Sequence, residues 1–181
     1  MYDIGYKYGY SCKVASAVFA ALSPNNDYYG NVRDCARILD TVKQGKGVDS
    51  VKVSTYGNNK RKAYMLALGA DPLKLLVADK TRSFYLNILN PSNKKPVTID
   101  GHMINCWYGV KQPLSGLRHE SRQYSLIAND VRVFAKEMHM IPCEMQSILR
   151  YTWRRINGIK LDTQLELWNH ERAIAGIGYV L

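Results

Sequence analysis

Apolar residues along the chain fall into blocks longer than ordinary strands, and most recur every three or four positions, which predicts helices throughout. Residues 8–22 are nearly all apolar or small, so Tyr8 to Leu22 reads as one central buried helix, stopped by Ser23-Pro24-Asn25-Asn26-Asp27. Tyr29 to Lys43 places Val32, Cys35, Ala36 and Leu39 on one face and completes a helical hairpin. Gln44-Gly45-Lys46-Gly47 opens a flexible connector, and Val51-Lys52-Val53-Ser54 is too short to make a sheet by itself. A helix with a concentrated positive start, Lys60-Arg61-Lys62, runs on to Leu68. Asp71-Pro72 has the form of a helix entrance, an acceptor side chain followed by a residue that lacks an N–H.

Further helices are expected from Asp79, which can cap its own segment, to Leu89, and from Asp100 onward. Ser121 to Met140 keeps helical spacing through Tyr124, Ile127, Val131, Phe134, Ala135 and Met138. Ile141-Pro142 restarts a helix with Met145, Ile148, Leu149 and Trp153 inward, leaving Arg150, Arg154 and Arg155 to face DNA or water. The tail, Leu161 to Leu181, has an amphipathic stretch around Trp168 and is expected to dock on the body. The fold class predicted is all-α, in one domain spanning residues 1–181.

Length and charge sharpen this picture. A chain of 181 residues buries a core without help from metal or disulfide. Lysine and arginine number 25 against 15 acids, a net charge of +10, which favours a polyanionic partner such as nucleic acid. No apolar run reaches membrane length and the first residues lack a signal core, so an intracellular protein without membrane association is expected. Cys12, Cys35, Cys106 and Cys143 are widely separated, and His102, His119, His139 and His170 lack the spacing of a zinc helix. His119-Glu120 alone makes no metal site, and no metal or other cofactor is expected.

Two short segments carry chemistry. Lys80-Thr81-Arg82 opens one helix, and Ile99-Asp100-Gly101-His102 opens the next after a Pro/Asn/Lys-rich connector. This pairing resembles the helix-hairpin-helix DNA glycosylase superfamily, whose bifunctional members carry a catalytic lysine in a Lys-Thr-Ala helix start and a catalytic aspartate in a Val-Asp-Thr-His element. The resemblance covers about residues 10–110, with C-terminal helices of about 118–181 packed on that core.

It implies a DNA partner, a nucleotide flipped from the duplex, and an enzyme that cleaves or remodels the base–sugar bond, with or without AP-lyase activity. Asp100 is the implied stabiliser of the cationic sugar and Lys80 the amine nucleophile. Implied DNA contacts are Thr81, Arg82 and His102 beside them, and Lys60, Arg61 and Lys62 on the preceding helix. Asn25 or Asn26 is implied at the corner that enters the base stack; an ordinary Pro-Asn turn gives the same residues.

Where the family has Leu-Pro-Gly-Val-Gly before the lysine, this chain has Leu75-Leu76-Val77-Ala78-Asp79, which removes the glycines that bring backbone N–H groups to a phosphate. The C-terminal four-cysteine iron–sulfur motif of some members is also missing from the sequence. Two alternatives stay open: a specialised, virus-encoded relative acting on hypermodified thymine, in the host cytoplasm, and a DNA-binding protein without catalysis. A monomer is expected in each case.

Overall fold

The computed structural model describes residues 1–114, 117 and 121–159. Every regular element among them is helical: α1 (Tyr2–Tyr8), α2 (Cys12–Leu22), α3 (Tyr28–Lys43), α4 (Gly57–Ala67), α5 (Pro72–Leu75), α6 (Asp79–Leu89), α7 (Gly101–Tyr108), α8 (Ser121–Glu137) and α9 (Pro142–Ile156), with one 3-10 turn at Val48–Ser50. The described part of the chain is all-α, as its periodicity predicts.

Residues 8–22 do not form a single helix. Gly9 turns left-handed at φ 82° and closes α1, and the Ser11 hydroxyl then accepts the Val14 N–H to start α2. Apolar density continues across this break, so hydrophobic pattern alone does not reveal it; the glycine and the capping serine are the local signals. From Ala15 to Leu22 every residue of α2 is buried. Helices α1, α3, α4 and α6 pack around it, and Phe19 meets Phe84 of α6 with ring centroids 6.1 Å apart. Ile38, beside the expected Cys35 and Leu39, is fully buried on the inner face of α3.

The apolar interior comes as two clusters. The first gathers α2, α3, α4 and Tyr85 of α6; the second gathers Val97, Ile99, α7, α8 and Met145 of α9. Helix α7, which falls within the 10–110 region by sequence, thus contributes Met103 and Ile104 to the cluster built by the C-terminal helices. The tail from residue 160 lies outside the described residues.

Candidate active site at the start of α6 and α7

Lys80 lies in the first turn of α6 on the side of the first cluster. The N-cap is Ala78, not a side-chain acceptor; Asp79, expected to cap the helix, stands one position inside it. There it still offers a carboxylate to the positive end of the helix dipole. The Thr81 hydroxyl donates to the Ala78 carbonyl at 3.1 Å. Arg82 folds back, its Nε donating to Leu76 O at 3.1 Å and its Nη2 to Leu73 O at 3.4 Å. A guanidinium therefore braces the turn at the position where the family uses glycines.

Asp100 arrives from the second cluster as the N-cap of α7. Its Oδ1 accepts the Met103 N–H at 3.0 Å, and its Oδ2 accepts Arg150 Nε of α9 at 2.6 Å. The carboxylate is 14% exposed and the guanidinium 31%. Burial by itself pushes the Asp100 carboxyl up; the charge and hydrogen bond of Arg150, the Met103 N–H and the Lys80 ammonium outweigh it and hold the group below the usual carboxylate range. Lys80 is the smallest of these influences, and the ion-pair partner of Asp100 among the described residues is Arg150.

Tyr124 of α8 ties these pieces together. Its hydroxyl donates to Val97 O at 2.7 Å, accepts the Ile99 N–H at 3.1 Å, and lies 3.3 Å from Asp79 O at the start of α6. One buried hydroxyl thereby fixes the residue before Asp100 and the residue before Lys80. At Gly101, where the glycosylase pattern has threonine, a Cβ would come within 2.8 Å of Cδ2 of the exposed Leu114, a side-chain end that can move aside. His102 follows on α7, half-buried.

The other sequence candidates form a second group. Asn25, exposed and left-handed at φ 53°, donates its amide to the Tyr56 hydroxyl. Asn26 turns inward instead, donating to Asp34 Oδ2 at 3.0 Å and Leu22 O at 3.4 Å, so it braces the corner. Lys60 donates to Val51 O at 3.3 Å and lies 3.9 Å from Asp49; Lys62 is half-buried and Arg61 is exposed.

Arg150 and Tyr124 are the residues that sequence reading missed as parts of the site. Arg150 appeared only as a charge off the apolar face, and its partner lies 50 positions away. Tyr124 appeared only as a core position. Neither separation leaves a local pattern. Arg154, expected on an outer face, is buried.

Among the described residues no cluster of His, Cys, Asp and Glu is suited to a metal ion, while His119 and Glu120 lie outside them. None of the described helices is long and apolar enough to cross a membrane. No curated protein and no solved structure matches the chain. A family model described as "Family of unknown function (DUF7178)" matches residues 3–158, and the chain belongs to that family.

Proposed function

We propose that the chain is a helix-hairpin-helix glycosylase-like enzyme acting on a nucleotide flipped out of DNA. The observation that carries this reading is that Lys80 and an ionised Asp100 stand at two helix starts that the Tyr124 hydroxyl ties together. A net charge of +10 suits the polyanionic substrate. In the proposed reaction the Lys80 ammonium first gives up a proton to solvent, and the resulting amine bonds to C1′ of the sugar. The C1′–N bond breaks with its electron pair leaving on the base, which takes up a proton. Loss of a proton from the new amine and opening of the sugar ring give a Schiff base. Asp100 favours the positive charge that builds on the sugar as the bond breaks.

The test is incubation with duplexes carrying normal, damaged and hypermodified thymine bases, with borohydride to reduce any Schiff base to a stable adduct. The expected result is base release and a trapped adduct on at least one duplex. Lys80→Gln should abolish the adduct, and Asp100→Asn should lose base release while retaining DNA binding. Release from hypermodified thymine alone would assign the specialised role.

One observation favours a second reading. Arg150 already occupies Asp100 Oδ2, and its charge offsets the negative potential that a cationic sugar would feel. A non-catalytic nucleic-acid-binding protein would bind the same duplexes and release nothing from any of them.

A further inference from the structure

A concavity of about 440 Å³ lies between the C-terminal half of α3 and the connector to α4. Arg37, Lys46 and Lys52 line it, against a single carboxylate, Asp40. Asp40 Oδ2 is occupied by Gln44 Nε2 at 2.7 Å, and among the described residues Lys46 and Lys52 have no carboxylate partner. Arg37 Nη1 lies 3.5 Å from Asp34 Oδ1, so the cations left without an ion-pair partner are Lys46 and Lys52; these repel one another, and an anion placed between them relieves that cost.

Two hydroxyls border the cavity without donating into it, so the lysines are its principal donors. Thr41 and Ser50 spend their hydroxyl protons on Arg37 O and Gly47 O, at 2.7 Å each. Three of the lining carbonyls are engaged: Thr41 O by Lys46 N–H at 3.0 Å, Lys46 O by the Tyr64 hydroxyl at 2.9 Å, and Val51 O by Lys60 at 3.3 Å. These bonds also hold the backbone of both walls in place. What the cavity retains for a ligand is cationic donor capacity on a fixed frame. Its volume is that of a small-molecule pocket and exceeds what a lone inorganic ion fills.

We propose that this cavity holds the phosphate group of a sugar phosphate ester, carried either by a free nucleotide or by the backbone of a polynucleotide. Arg37, Lys46 and Lys52 supply the charge-assisted hydrogen bonds. The site is independent of the chemistry proposed at Lys80 and Asp100, and neither reading needs the other.

The test is an amide chemical-shift titration of the whole chain with adenosine 5′-monophosphate, with inorganic phosphate and with a short single-stranded oligonucleotide. Shifts centred on residues 45–52 are expected, with affinity falling about tenfold or more in the Lys46→Gln/Lys52→Gln double variant. Both lysines are exposed, so the fold should persist, and an unchanged circular dichroism spectrum checks this. Lys136→Gln, on exposed α8, controls for the loss of net charge. Response to the mononucleotide assigns a free-nucleotide site, and response to the oligonucleotide alone assigns a backbone contact. No localised shift with either nucleotide ligand, or equal weakening by Lys136→Gln and by the double variant, would overturn the proposal.

Discussion

At the scale of single residues the Asp100–Arg150 pair decides the character of the site. Two partly buried charges at 2.6 Å stabilise less by being present than they destabilise when one is removed. Arg150→Met should therefore cost about 1–3 kcal/mol in urea unfolding, because Asp100 keeps only its backbone N–H and the Lys80 charge. Asp100→Asn added to that variant should recover part of the loss. The sign of the pH dependence follows from the depressed carboxyl: its contribution is complete above the ordinary value of 3.8 and disappears as pH falls through the folded-state value. Wild-type stability should accordingly fall more steeply below about pH 4 than that of Asp100→Asn. Asp100 itself was legible in the sequence, since an aspartate ahead of an apolar helical run is a cap whatever else it does. The arginine that sets its charge was not, because an ion pair across 50 positions leaves no local trace.

At the scale of elements, six of the nine described helices end by one rule, while α2, α5 and α6 close without a left-handed residue. In α1, α3, α4, α7 and α9 a left-handed glycine follows the last turn, and the next residue's N–H reaches back five positions, as Lys46 does to Thr41. The supposedly flexible Gln44-Gly45-Lys46 connector is therefore the hydrogen-bonded end of α3. Helix α8 closes in the same way, Met140 N–H to Ala135 O at 2.8 Å, but with His139 in the left-handed position at φ 53°. A side chain there carries strain of about 1–2 kcal/mol, partly offset by the greater freedom of glycine in the unfolded chain. His139→Gly should thus raise stability by about 0.5–1 kcal/mol, read as a higher melting temperature; a lower one would show that the imidazole contributes more than the strain costs. Such ends are legible where glycine marks them and hidden where histidine does. The Asp71-Pro72 entrance was fully readable: Asp71 Oδ1 accepts the Leu73 N–H at 3.0 Å and Pro72 opens α5.

At the scale of the molecule, the apolar interior divides into two clusters, and hydrogen bonds such as that of the Tyr124 hydroxyl to Asp79 O tie the second to the start of α6. Helical content was legible from spacing, but this division was not, because apolar residues at helical spacing do not say which helix they meet. Ile127, fully buried in the second cluster, probes it. Ile127→Ala should remove about 2–5 kcal/mol locally and speed amide hydrogen exchange in α7, α8 and α9 well beyond its effect on α2 and α3. Uniform acceleration through all helices would instead mean one cooperative unit.

The order in which a ribosome delivers the chain gives the division a further meaning. The first cluster's residues have all emerged once Tyr85 has, whereas Asp100 acquires its charge partner only after Arg150, 65 residues later, has followed. A nascent chain can therefore expose the start of α6 well before Asp100 gains its ion-pair partner, so this region is among the last features that synthesis completes.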